Sequence, residues 1–285
     1  MPLSVQVGLL CAVMTSLGAI VGFFLKHKGA VNAPPVEWRR PVHSTIELFK
    51  SPIYTIGCVV ATTSWGFHVA ALALAPISVV QSVIAGGLVF VTVVADRIFG
   101  QSVSRREWIG VGLTAAGLAF LAATLEGTTD SAHADFDGAA LLGVMIVTTV
   151  GALVLAARNG ASGPALAVSA GLLWAGSDIT IKAISNYSDM GILVIFHPFA
   201  YVILIWSLVG LLVSAKSLQL GPAVPVIAIT SATANIITIA AGPAIFREPL
   251  PADTGTLLVR LAAFGLVITA AAMTPPPGAE PEQAA

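Results

Sequence analysis

Leu72-Ala73-Leu74-Ala75-Pro76 and Leu218-Gln219-Leu220-Gly221-Pro222 stand about 146 residues apart and share one form, an apolar helix end, a small residue and a proline. An X-Pro step disfavours continuation of a helix, so each stretch marks a sharp break between two consecutive helices. Apolar runs at 52–75 and 77–97 flank the first break, and runs at 193–215 and 223–246 flank the second. At 1.5 Å per residue, about 20 helical residues cross a hydrocarbon layer of roughly 30 Å. Further runs of that kind lie at 3–25, 107–125, 138–157, 163–184 and 254–273. The prediction is an all-α, polytopic membrane bundle of nine spans.

Composition agrees. Of 285 residues, 56 % are hydrophobic and 9 % charged, whereas a soluble domain carries about 25 % charged residues. Thirteen Lys and Arg oppose fourteen Asp and Glu, which leaves no basic surplus for phosphates and excludes a nucleic-acid partner. Cys11 and Cys58 sit inside apolar runs and read as small packing residues. The chain has no GxxxxGK[ST] stretch and no soluble region of nucleotide-domain size, so no cofactor is expected, and uphill movement of a solute would draw on an ion gradient. Met1 to Gln6 holds no Lys or Arg, so the first run reads as a retained span rather than a cleaved signal.

The offset that aligns the two breaks also brings Phe99 within one residue of Phe246 and sets Gly110, Gly112 and Gly117 against Gly265. This predicts a first four-span repeat at 1–125, a linker with a connecting fifth span at 126–160, a second four-span repeat at 161–273 and a disordered, Pro-rich tail at 274–285. An odd connector makes the second copy enter the bilayer from the opposite face, the inverted repeat on which many alternating-access carriers are built. With the N-terminus outside, Lys26, Lys28, Arg39, Arg40, Lys50, Arg97, Arg105, Arg106, Arg158 and Lys216 fall inside. Only Lys182 and Arg247 fall at outer ends, and Arg260 lies within the last span. That bias predicts a multi-pass protein of the plasma (inner) membrane, N-terminus outside and C-terminus cytoplasmic.

Four stretches carry a family resemblance. They are Phe23-Phe24-Leu25-Lys26-His27-Lys28-Gly29, Ala71-Leu72-Ala73-Leu74-Ala75-Pro76, Gly176-Ser177-Asp178-Ile179-Thr180-Ile181-Lys182-Ala183 and Phe246-Arg247-Glu248. Together they resemble the EamA-related drug/metabolite transporter superfamily and, more closely, its NIPA-like branch. For that branch the resemblance implies transport of magnesium or another divalent cation. For the wider superfamily it implies amino acids, nucleotide sugars, amines and similar metabolites.

An ionisable group at a helix centre costs about 2.5 to 3.5 kcal/mol on insertion scales, so the few present are functional candidates. Asp178 lies within the sixth span, Lys182 is one turn further on the same face, and Arg260 lies within the ninth. Two readings stay open for the first two: an i, i+4 structural pair, or the lining of a cavity where Asp178 carries a proton or meets a cationic group. Asp178 is also the mid-span carboxylate available to a divalent cation. Lys182 and Arg260 against Asp178 leave net plus one, which leans toward an anionic or zwitterionic solute. His68, the side-chain type suited to exchanging a proton at physiological pH, is a candidate for proton coupling. Trp65 and Trp174, near mid-depth, are candidate cavity walls, and Gln81 and Asn235 are buried amides that need partners.

Two readings from other classes compete. Gly160-Ala161-Ser162-Gly163 has the GxSG form of rhomboid-like serine proteases, but such a nucleophile needs a histidine base within reach, and His68 and His197 fall toward the other side. A non-transporting membrane scaffold is the second. The chain is predicted not to be an enzyme, with the lipid bilayer and a small-molecule or ion substrate as partners; a homodimer is compatible with this sequence.

Overall fold

The computed structural model describes residues 2–87, 105, 109, 113, 116–117, 135–158, 161–221 and 223–272. They form α1 (Leu3–Val31), α2 (Pro41–Phe49), α3 (Pro52–Leu74), α4 (Ile77–Gly86), α5 (Gly138–Ala157), α6 (Gly163–Ile184), a 3₁₀ stretch (Ser185–Phe196), α7 (Pro198–Leu220), α8 (Ala223–Ile245) and α9 (Thr254–Ala272). No strand occurs among the described residues. Five stretches are long and apolar enough to cross a membrane: α1, α3, α5, α6 with the 3₁₀ stretch, and α7. The span predicted at 107–125 and the far half of that at 77–97 lie outside the described residues, apart from isolated positions.

Three boundaries differ from the sequence reading, each for a local reason. The first span was expected to stop at residue 25, where charge begins, yet α1 runs on to Val31. Lys26 is buried, with its ammonium 4.3 Å from the Phe23 ring centroid, and a lysine whose stem packs and whose charge meets a π face does not end a helix. The seventh span was expected at 193–215. His197 instead accepts the Phe199 N–H at Nδ1 (3.2 Å) as the helix cap, and Pro198 takes the first helical position it tolerates, so α7 starts at 198. The segment between the spans predicted at 3–25 and 52–75 contains α2, led by Pro41, with Val42, Ile46 and Phe49 exposed at helical spacing.

Glycine sets how the helices meet. As α1 advances, its contacts retreat along α3: Gly8 against Leu74 and Ala75, Gly18 against Ser64, Gly22 against Ala61, and Gly29 against Tyr54. The pair is therefore antiparallel. Ser64 Oγ donates to the Thr15 carbonyl at 2.7 Å across it. Likewise α6 and α7 are antiparallel, with Gly163 against Leu220 and Gly221, and Gly176 against Trp206. Ser217 Oγ donates to the Gly163 carbonyl at 2.7 Å. In lipid there is no hydrophobic drive between apolar helices, so close backbone approach supplies the packing energy. α5 lies on α6 through Ser169 Oγ and the Ala152 carbonyl (2.8 Å) and turns Leu142, Ile146, Val150 and Leu153 outward.

Gly29 is the tightest of the α1 contacts, since a Cβ there would fall 2.5 Å from the Tyr54 backbone nitrogen, whereas one at Gly143 would meet nothing within 4 Å. Gly29→Ala is expected to lower the melting temperature in detergent by several degrees, in line with an overpacking cost of roughly 1–3 kcal/mol. Gly143→Ala should leave it unchanged. Thermal unfolding of the two variants side by side checks this.

Candidate functional site

The break between α3 and α4 leaves two helix ends whose backbone groups have no partner within their own helix. Both ends are served by charges from distant parts of the chain. Lys182 of α6, fully buried, donates from Nζ to the carbonyls of Leu72 (2.7 Å) and Ala75 (2.8 Å) at the end of α3. Glu248, 4 % exposed, accepts from the Ser78 backbone N–H at 3.4 Å and makes a short hydrogen bond with the Ser78 hydroxyl, in the first turn of α4. A cation sits where a helix ends and a carboxylate where one begins, the signs the helix dipole favours.

Glu248 reaches this place through two local devices. Arg247 adopts the left-handed conformation (φ 52°), which turns the chain back so that the Glu248 N–H meets the Gly242 carbonyl at 3.2 Å. Gly242 has no side chain where the carboxylate and Ser78 lie. Burial pushes the Glu248 carboxyl up from its ordinary value, opposed by its bonds to Ser78 and by the Lys182 ammonium. Arg260 of α9, also buried, donates to the Pro249 carbonyl at 3.0 Å and so fixes the same turn.

One turn before Lys182, Asp178 faces the same interface. Its Oδ1 is 2.8 Å from His68 Nε2 of α3, and its Oδ2 accepts from Gln81 Nε2 of α4 at 3.0 Å. The carboxylate thus joins three helices. Gln81 is 1 % exposed, and the His68 and Asp178 side chains are 9 % and 13 % exposed. His68 Nδ1 is buried with no hydrogen-bond partner among the described residues.

Of the residues singled out in the sequence, Asp178, His68 and Gln81 are brought into one bonded group. Among the described residues Lys182 forms no ion pair with Asp178 as an i, i+4 staple; two of its N–H donors go to the α3 carbonyls. Asn235 is buried on α8, on the face that Gly242 turns to Ser78 two turns away, and its side chain makes no hydrogen bond to a described residue. Trp174 is no wall of this site, since it packs on α7 beside Gly210, and Trp65 is 42 % exposed on the outside of the bundle. Ser162 caps α6, accepting from the Ala165 N–H at 3.4 Å, while the two histidines considered as its base bond Asp178 and cap α7.

The sequence missed Glu248 as a buried group, and it changes the charge balance. Counted as ionised, Asp178 and Glu248 offset Lys182 and Arg260, so the net plus one that leaned toward an anionic solute is cancelled. Phe246-Arg247-Glu248 was visible, but no periodic signal marks a residue just beyond a helix end as buried.

At the far end of α1 a second contact crosses the bundle. The Gln219 amide of α7 accepts from the Val36 N–H at 2.9 Å and donates to the carbonyls of Ala30 and Pro34, both at 3.1 Å. Lys216 lies 4.3 Å from the Trp38 ring centroid. Comparison with protein-family models, with curated proteins and with solved structures gave no match.

Lys182→Met is expected to lower the melting temperature, because buried carbonyls left without donors cost about 1–3 kcal/mol each. Glu248→Gln should cost less in that background than alone, since the opposing charge has gone. A double-mutant cycle read by thermal unfolding checks the coupling; strictly additive losses would show the two charges to be independent.

Proposed function

We propose that this chain is a secondary transporter of the drug/metabolite type in the plasma (inner) membrane. It moves a small solute by alternating access, with a proton as coupling ion. The observation that carries this reading is the Asp178 carboxylate, held by His68 on α3 and Gln81 on α4.

The chemistry of that group suits a proton carrier. With a neutral imidazole, Nε2–H donates to the carboxylate and Nδ1 is the open base. A proton gained at Nδ1 makes an imidazolium beside a carboxylate; one gained by the carboxylate weakens its grip on both partners. Either event acts on the packing of α6 against α3 and α4. Because the buried charges at this end balance, a neutral or cationic solute suits the site better than an anion.

The helix directions support the inverted arrangement. Moving along α3 and α6, His68 meets Asp178 and Leu72 meets Lys182, so those helices run in the same direction. α7 is antiparallel to α6 and thus runs opposite to α3, its counterpart under the offset of about 146 residues. The nine-span count and the N-terminus-outside orientation belong to the same proposal, and the latter rests on the distribution of Lys and Arg. A divalent cation as cargo is the second reading. It has the Asp178 carboxylate and the family resemblance behind it, but the described residues gather no group of three metal-ligating side chains.

Asp178→Asn tests the reading. The protein is reconstituted in liposomes with an imposed pH gradient, and uptake is followed for a panel of amines, amino acids and Mg²⁺. Wild type should accumulate a panel member in a gradient-dependent way. The variant should lose that dependence by at least about tenfold, the loss for ~1.4 kcal/mol of coupling, with its melting temperature retained. Transport by Asp178→Asn that still follows the pH gradient as in wild type rejects the mechanism.

A further inference from the structure

Resting on the transport reading above, we infer that the two cross-bundle contacts, Lys182 with Glu248 on the α3–α4 break and Gln219 on the 30–36 segment, are the latches of the two gates, one at each end of the bundle. Their placement follows from α1. The α3–α4 break lies beside the start of α1, where Gly8 touches Leu74 and Ala75, and Gln219 grips the chain just past its end. Along α1 the two contacts are separated by the stretch from Gly8 to Ala30, roughly 33 Å at 1.5 Å per residue.

The repeat relates them. Shifted by about 146 residues, Lys182 falls on Val36 and the stretch Leu72–Ala75 falls on Leu218–Gly221. In one contact the residue at position 182 bonds the backbone of the first break. In the other, the backbone of residue 36 bonds a side chain within the second break, Gln219. Lys182 lies within α6 and Val36 five residues past the end of α1, so what the two ends share is the break itself, each one held by a long-range contact at its own end of the bundle. The chemistry differs: one end uses buried charges on helix termini, the other a neutral amide that spends an acceptor and two donors on one short segment.

Both contacts are formed among the described residues. Opening either side requires losing one latch while the other holds, and each can be weakened by a small change. Gln219→Glu keeps an oxygen for the Val36 N–H but sets a carboxylate against the carbonyls of Ala30 and Pro34. Gly242→Ala places a Cβ where the Glu248 carboxylate lies and 3.0 Å from Ser78 Cβ, without altering any charge. Glu248→Gln is the conservative companion, removing the charge while keeping the shape.

Spin-label distances in the full chain in nanodiscs test this, with Cys11 and Cys58 replaced by alanine. One label pair, Val31→Cys with Leu220→Cys, reports the Gln219 end. The other, Ala73→Cys with Leu250→Cys, reports the break; all four positions are exposed. Gln219→Glu should lengthen and broaden the first separation and leave the second unchanged or shorter. Gly242→Ala and Glu248→Gln should do the converse. Distances that do not change at the altered end, or that lengthen at both ends for every variant as simple loosening would give, overturn the inference. Uptake by the unlabelled wild type separates two failures. Transport with unmoved distances rejects the latches alone, whereas distances that move as expected in a protein that carries no panel member reject the transport reading and keep the latch pair.

Discussion

A buried helix break at one end of an apolar bundle is the constraint on which the rest depends. Pro76 ends the backbone hydrogen bonding of α3 and begins that of α4 within a segment surrounded by apolar side chains. Groups left without partners in such surroundings cost several kcal/mol each. Lys182 and Glu248 satisfy carbonyls on one side of the proline and an amide on the other. The glycine at 242, the left-handed turn at Arg247 and the bond from Arg260 to the Pro249 carbonyl all bring Glu248 to this point. A charge network that would be a liability anywhere else in the bundle is here what satisfies the two helix ends at the proline.

The Asp178 group lies one turn along α6 from Lys182, and the proximity has a functional meaning. α6 carries on one face a carboxylate bonded to α3 and α4 and a cation bonded to the end of α3. A change in the protonation of Asp178 or His68 therefore acts on the same helices whose junction Lys182 secures. The site and the break are mechanically one unit.

Much of this was legible in the sequence. The apolar run lengths and the scarcity of charge identified an all-helical chain with membrane-length apolar helices, of which five are seen among the described residues, and the high cost of an intramembrane charge singled out Asp178, Lys182 and Arg260 from a long chain. His68 and Gln81 were marked individually as polar side chains in apolar runs, but nothing in one sequence says which helices are neighbours, so their convergence on Asp178 was out of reach. The exclusion of Trp65 and Trp174 has the same origin, since helical spacing gives relative faces and not which face turns inward. Glu248 escaped because burial beyond a helix end depends on a turn geometry, set at Arg247, that has no periodicity to read. The short α2 escaped because its apolar positions Val42, Ile46 and Phe49 are surrounded by charge.

The length of α1 has a bearing on the lipid itself. At 29 residues and 1.5 Å per residue, it extends roughly 40 Å, about 10 Å more than an average hydrocarbon layer. In such a layer its surplus turns either lean with the helix or stand proud of the acyl chains, and the segment held by Gln219 begins where those turns finish. Bilayer thickness thereby becomes a mechanical input: a thicker membrane draws α1 upright and a thinner one lets it lie over, so the same polypeptide would work differently in membranes of different composition.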